Sequence, residues 1–528
     1  MSNGELRIVI GEGAGVRAWE VEAVRMLMAV PGVRILGSWN AAPAIAEARR
    51  ASWSERRFRK LERSISRNEL LDHSQGGMRT LGIAAIRAFA DTPCDLVLLL
   101  GGTDSSAGLP CAWSFRHADG AGPDSALPML REWVHGMPHG RFQLIDAGTQ
   151  ETIRELCLPV TGDATECVER AVRTAMRWPA DAARAWIATG ARPQGAMPVA
   201  CKPIPMPGFL DLLRARFGGQ RRAAQASSRW RDGDWNIGVL HQPMHALLDA
   251  AGSRNVRWLP NPSKGMSRME PFGYLDAEGD FNVLYRKCSA SGNDARIARL
   301  RPKPDNILKR SRSMIDSVAD ASYPFTLHLN SAMHAVISDL EHERVLLMKV
   351  SADNNALTDP LVLLEAAIHA PTLFEHEGRW WLLGSSDPEP DALLRAFHSE
   401  RAEGPYVEHA CSPMKCDARH ARPAGTPFVH EGQLYRPALD CTRANGPAVW
   451  INRVDRLDPV CFHETPLRSI DGFVATAYGR GVRTISSMGE VTLVDGLRSP
   501  VIAGKRANAQ RGRSKRRRLS PSDDDDDT

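Results

Sequence analysis

Two textures of apolar and polar positions divide the chain. Over roughly the first 190 residues, apolar runs alternate with stretches at helical spacing. Glu5-Leu-Arg-Ile-Val-Ile10 leads into Gly11-Glu-Gly-Ala-Gly15, then Trp19, Val21, Val24, Met26 and Leu27, then Val33-Arg-Ile-Leu-Gly37. Strand, glycine turn, helix, strand is a βαβ opening. Asp95-Leu-Val-Leu-Leu-Leu100 is apolar throughout, as a central parallel strand covered on both faces would be. Residues 55–71 carry a stripe of Phe58, Leu61 and Ile65 among arginines and glutamates. They predict a basic amphipathic helix, mostly a solvated face with charges paired at i,i+4. Residues 166–188 predict a further helix. Pro193, Pro198, Pro203, Pro205 and Pro207, with three glycines, then mark an interdomain linker.

From Trp235 the pattern becomes short strands between Gly, Asp and Asn turns. Pro271–Tyr285, Pro324–Ile337, Pro371–Leu383 and Pro427–Tyr435 repeat one unit: proline, apolar strand, turn, aromatic or apolar strand. A recurrence every 45–55 residues or so is a blade period with four strands per blade, which predicts about five blades over 231–500. The predicted organisation is an α/β domain with a parallel sheet (1–200), a linker (201–230), an all-β five-bladed propeller (231–500) and a tail (501–528).

Charge and cysteine use narrow the function classes. The net charge of the 528 residues is +5, but the segment from Lys505 holds eight Lys/Arg and five Asp, so the body is near neutral and not a specific nucleic-acid binder. The tail is expected to be disordered. No run of about 18 apolar residues predicts a membrane span. A start that moves straight into a strand, together with ten scattered cysteines, predicts a cytoplasmic protein with reduced thiols.

Candidate chemistry falls in two regions. Cys111-Ala-Trp-Ser-Phe-Arg-His-Ala-Asp-Gly120 places Ser114, Arg116, His117 and Asp119 beside two aromatics, as a catalytic loop or a hydrogen-bonded turn would. In a propeller, first strands converge on the axis, so Glu270, Asp339 and Asp440 could supply the paired carboxyls of glycoside hydrolysis, about 5–10 Å apart. Arg422 and Arg436 could clamp a phosphate or carboxylate, or they could staple one hairpin to its neighbour. Of Trp380 and Trp381, alternation sends one to the core. His409, Cys411, Cys416 and His420 match no standard zinc spacing, and no metal is expected. Gly11-x-Gly-x-Gly15 falls short of a dinucleotide fingerprint and reads as a tight turn.

Residues 5–200, and Trp-Ser-Phe-x-His-x-Asp within them, resemble the N-terminal domain of formyltransferases. Ser114 and Arg116 stand where that family has its Asn-x-His pair. The resemblance implies a 10-formyltetrahydrofolate donor and Ser114, Arg116, His117 and Asp119 in the catalytic set. The second half resembles the five-bladed propeller of arabinanase-like glycoside hydrolases, and more closely the propeller at the N-terminal end of plant glucosamine inositolphosphorylceramide transferases. The motifs are Ser322-Tyr-Pro324, Gly378-Arg-Trp-Trp-Leu382, Gly404-Pro-Tyr406, Ala421-Arg-Pro-Ala-Gly425, Leu434-Tyr-Arg-Pro437 with Asp440, and Val494-Asp-Gly496. Bacterial proteins that join the two domains share them. Ser338-Asp339, His369-Ala-Pro-Thr372 and Gly481-Val-Arg-Thr484 depart from that pattern. The expected function is formyl, acyl or glycosyl transfer to an amino sugar or glycan. The alternative is a non-catalytic propeller that binds a glycan or an anionic headgroup through Arg422, Arg436 and Asp440, with Glu270 and Asp339 as further substrate-binding candidates.

Overall fold

The computed structural model describes residues 5–13, 15–40, 52–74, 76–86, 92–101, 109, 111–117, 127–193, 203–216, 234–249, 255–289, 295–302, 312–314, 321–443, 447–473 and 476–498. The charged tail and Asp119 lie outside them. The chain opens with β1 (Leu6–Glu12), α1 (Ala18–Met28), β2 (Val33–Asn40), α2 (Trp53–Ile65), β3 (Leu96–Leu100), β4 (Ala112–His117), α3 (Leu130–His135), β5 (His139–Asp146), β6 (Thr152–Pro159), α4 (Ala164–Ala175) and α5 (Trp178–Thr189). β2, β1, β3 and β4 lie side by side and parallel. β5 and β6 extend the sheet antiparallel. The expected parallel sheet is thus a mixed one. Only residues 147–151 join β5 to β6, too few for the crossover a parallel pair needs. The arrangement does not confirm the formyltransferase-like fold. Its core is apolar β3, buried along its length, and an aromatic group in which Trp19 meets Phe115 edge-on at 4.9 Å and Phe115 stacks on Phe142 at 6.0 Å.

The second half is a propeller-like arrangement of antiparallel sheets. β7 (Trp235–Leu240) and β8 (Arg257–Trp258) join a sheet completed by the last strands of the chain. β9 (Met266–Leu275), β10 (Phe281–Ser289), β11 (Arg296–Leu300) and β12 (Arg312–Ser313) form the next sheet. β13 (Ser322–Leu329), β14 (Ala332–Asp339), β15 (Arg344–Val350) and β16 (Leu357–Leu364) follow. β17 (Ile368–His376), β18 (Arg379–Ser386) and β19 (Leu393–Ser399) continue through β20 (Val407–Glu408) and β21 (Lys415–Asp417). β22 (Phe428–His430), β23 (Gln433–Asp440), β24 (Ala448–Asp458) and β25 (Cys461–Ile470) make another sheet. β26 (Ile485–Met488) and β27 (Val491–Leu497) then close on β7.

Among the described residues, four four-stranded sheets stand apart where five blades were expected. The difference comes from β21. It pairs in parallel with β6 (Cys416 with Leu156, Asp417 with Cys157), so β17–β19 belong to the N-terminal sheet.

The proline that opens three of the four repeats marks a bulge. Glu270, Tyr323 and Ala370 have φ of 55°, 54° and 52°, and each immediately precedes a proline. The pairing register shifts at all three places. A left-handed residue before a ring that cannot donate a ladder hydrogen bond interrupts pairing and turns the strand start aside. Phe272, just past the first bulge, packs edge-on against Tyr323 at 4.8 Å and Phe325 at 5.4 Å in the next sheet. Burying such a ring stabilises by about 2–3 kcal/mol.

Candidate functional site

The starts of β9, β13, β17 and β26 and the Ala421–Gly425 segment are tied together by hydrogen bonds. The buried Tyr323 phenol accepts from the Gly425 amide at 2.7 Å and from Thr372 Oγ1 at 3.3 Å. Gly425 has φ 141°, and a Cβ there would lie 1.6 Å from the Ile485 carbonyl oxygen, so only glycine lets these strands approach. The Tyr323 amide donates to Glu270 Oε2 at 2.8 Å, and the Glu270 amide donates to Asp495 Oδ2 at 2.9 Å. Asp495 Oδ1 accepts from the amides of Arg483 (2.9 Å) and Thr484 (2.7 Å).

Around this frame sits a mixed-charge cluster. Arg483 pairs with Glu270 Oε1 at 3.0 Å. Arg422 donates to Asp391 Oδ1 at 2.9 Å and to the Pro390 carbonyl at 3.3 Å. His369 Nε2 lies 3.8 Å from Asp387 Oδ1. Burial pushes the Glu270 carboxyl up, but Arg483, Arg286 and Arg422 outweigh it and hold the group below its ordinary value, so it is ionised at neutral pH. Burial pushes Asp495 up to about 6 against its three amide hydrogen bonds. Burial, with the charge of Arg422, lowers His369 to about 4, so its ring is neutral at pH 7. Two guanidiniums beside carboxylates can hold vicinal hydroxyls, which donate and accept, and a phosphate, which only accepts.

Of the residues singled out in the propeller, Glu270 and Arg422 belong to this cluster. Arg436 does not; it is the staple. Fully buried, it donates to Glu464 at 2.9 and 2.6 Å, to the Ala421 carbonyl at 3.0 Å and to the His420 carbonyl at 2.6 Å. It thereby fixes the backbone that carries Arg422. Asp339 is held by His342 (2.9 Å) and Arg344 (2.7 Å) of its own hairpin. Asp440 accepts from the amide and hydroxyl of Thr442 and from Trp450 Nε1. Sequence reasoning missed His369, Asp387, Asp391, Arg483 and Asp495. Two of them lie in the segments that depart from the family pattern, His369-Ala-Pro-Thr372 and Gly481-Val-Arg-Thr484.

In the N-terminal sheet, strand alternation separates the other candidates. Ser114 and Arg116 share one face of β4, and Arg116 donates to Gln150 at 2.6 Å. His117 is on the opposite face, edge-on to Phe142 at 5.4 Å. At the end of β1 the Gly13 amide donates to the Leu100 carbonyl at 3.0 Å, and nearby the buried Glu20 carboxylate accepts from the Gly101 amide (2.8 Å) and the Arg17 amide (2.8 Å). His409 and Cys411 are neighbours in one turn, while His420 Nδ1 pairs with Asp417 at 3.0 Å.

Helix α4 touches the β18–β19 loop beside the cluster. Arg170 of α4 grips Glu389 at 2.8 and 2.6 Å, next to the Pro390 and Asp391 groups that receive Arg422.

Residues 305–474 match the family described as glucosamine inositolphosphorylceramide transferase 1, N-terminal. The chain is similar to glucosamine inositolphosphorylceramide transferase 1 of Oryza sativa subsp. japonica, 26% identical over 203 residues, 35% of this chain and 27% of that protein. It is similar to the Arabidopsis thaliana protein of that name, 25% identical over 158 residues, 28% of this chain and 20% of that protein. The chain spans about a quarter of the length of these curated relatives. Among solved structures, an exo-1,5-alpha-L-arabinanase from a bovine ruminal metagenomic library superposes at 15% identity and TM-score 0.29, over 37% of this chain and 76% of that one. A family 117 glycoside hydrolase from Zobellia galactanivorans superposes at 11% identity and TM-score 0.33, over 45% and 87%.

Proposed function

We propose that this chain serves glycosyl transfer onto a glycolipid, and that its propeller recognises the sugar headgroup at the cluster around Glu270, Arg422 and Arg483. The cluster itself carries the reading. A pyranose or inositol ring offers adjacent hydroxyls that fit a carboxylate beside a guanidinium. A ring phosphate suits Arg422, whose partner Asp391 is partly exposed and can be exchanged for ligand. The similarity to the N-terminal part of the named transferases supports the reading, because the matched residues 305–474 include His369, Asp387, Asp391 and Arg422. Both oxygens of Glu270 are already engaged, which favours recognition over bond cleavage at this site. Formyl or acyl transfer, with its folate donor, gains no support from the placement of Ser114, Arg116 and His117.

Calorimetric titration of the full chain with inositol phosphate, free inositol, glucosamine and nucleotide sugars tests the proposal. Inositol phosphate is expected to bind more tightly than inositol. Arg422→Ala is expected to weaken it by roughly 10- to 100-fold, the worth of a charge-assisted hydrogen bond or two. An unchanged affinity in Arg422→Ala, or no binding of any sugar, overturns it.

A further inference from the structure

A second surface, on the N-terminal half, has no part in the headgroup site. α2 turns Phe58 and Ile65 into the core. At about 100° per residue, its opposite face carries Trp53, Arg56, Lys60 and Arg63, with Arg57 on its flank and Arg67 in the turn just past its end. All six are exposed. Two of the segment's glutamates have partners away from this face. Glu55 closes the N-terminal capping box with Ser52, and Glu62 pairs with the buried Arg17 at 3.2 Å. Trp53 is 47% exposed, with the Arg57 guanidinium 5.1 Å from its ring centre. It meets Phe209 edge-on at 5.4 Å. Phe209 (54% exposed), Leu210 (60%) and Leu213 (41%) continue the apolar surface along the helical residues 209–216, where Arg214 and Arg216 are also exposed.

We infer that this surface docks on an anionic lipid bilayer, with Trp53, Phe209, Leu210 and Leu213 entering the headgroup layer and the basic side chains facing acidic phospholipids. Charge complementarity sets the sign of the partner. The contiguous aliphatic and aromatic side chains set its kind, since an interface rewards burial of leucine and indole together. A nucleic-acid strand would stack on the rings and leave the leucines in water. The inference stands apart from the headgroup reading, because it concerns different residues.

Flotation of the full chain with vesicles tests it. The vesicles would be phosphatidylcholine alone, or phosphatidylcholine with about one-third phosphatidylserine, at low and at physiological salt. Binding is expected only to the anionic vesicles and is expected to weaken as salt rises. Each basic residue near such a surface is worth roughly fivefold in partitioning, so Arg56→Gln/Lys60→Gln/Arg63→Gln together should lose on the order of 100-fold. Trp53→Ala/Phe209→Ala should lose at least about tenfold at both salt concentrations, because that part is not electrostatic. Thermal melting of each variant alongside wild type separates lost docking from lost folding; these exposed positions should leave it unchanged. Equal binding to neutral vesicles, no vesicle binding, or wild-type binding in both variants overturns the proposal. So does a single-stranded RNA that binds as tightly and is lost in Trp53→Ala/Phe209→Ala.

Discussion

Replacing Arg436 with methionine should damage the propeller in a way that depends on pH. The side chain is fully buried and holds three groups at once: the Glu464 carboxylate, through two bonds, and the carbonyls of His420 and Ala421. Methionine fills much of the volume but leaves Glu464, whose side chain has no exposed surface, with Lys415 alone at 2.6 Å. Breaking a buried pair from one side is worth about 3–5 kcal/mol, most of it the stranded charge. A propeller of this size should melt lower by roughly 6–12 °C. The pH dependence identifies the cause. In the wild type, burial raises the Glu464 pKa, but Arg436 and Lys415 outweigh it and hold the group below its ordinary 4.5. That contribution is present above the unfolded value and is lost as pH falls. Without Arg436, burial prevails and the folded value rises above the unfolded one. The variant's deficit should then grow as pH rises from about 5 to 8. Urea unfolding followed by tryptophan fluorescence at several pH values, against wild type, measures this. Adding Glu464→Leu should restore most of the loss, since the stranded charge goes with it. A deficit under about 1 kcal/mol, or one that ignores pH, would refute the reasoning.

Gly425→Ala should lower the melting temperature more than any exposed substitution, because its Cβ meets the Ile485 carbonyl in a backbone conformation that L residues rarely adopt; a wild-type melt would show that the strands can part. Arg170→Ala should weaken inositol phosphate binding by a few-fold without contacting ligand, because it releases Glu389 beside Asp391, whereas Arg170→Lys should recover part of that; equal affinity in all three proteins would remove Arg170 from the site's support. Asp495 should titrate near 6 by carboxyl-carbon NMR, against 3.8 unfolded, so its ionisation opposes folding by about 3 kcal/mol once pH exceeds 6; a titration near 4 would deny the burial that sets it.

The hairpins were legible because their causes are local. A proline, an apolar run and a glycine turn act within about 15 residues, and each unit folds where it was read. Which proline-preceding residues would take a left-handed conformation was not legible, since glutamate, tyrosine and alanine share no propensity for it. Tertiary hydrogen bonds, such as that from the Tyr323 amide to Glu270, hold them there. The pairing of β21 with β6 could not be read either, because three residues from a loop supply the strand and their partner is distant in sequence. At the candidate site, residue type was visible but partnership was not. Arg436 and Arg422 sit in similar Arg-Pro contexts. One finds a buried carboxylate and two carbonyls, and the other a half-exposed aspartate. His369 and Arg483 read as lost family positions, yet they are the groups that flank Arg422 and Glu270.

The strand shared between β21 and β6 bears on how such a protein can be inherited. Domains strung on a linker can be cut apart, shuffled and rejoined, because each keeps its own boundary. Here the boundary runs through a sheet, and the β18–β19 loop, which carries the groups that receive Arg422, is held by Arg170 of α4. A gene rearrangement that removed the first 200 residues would leave β21 with a bare edge and Glu389 without its arginine. The two halves are therefore constrained to change together. Substitutions in β6 or α4 should be matched by substitutions between residues 387 and 418 rather than drift on their own.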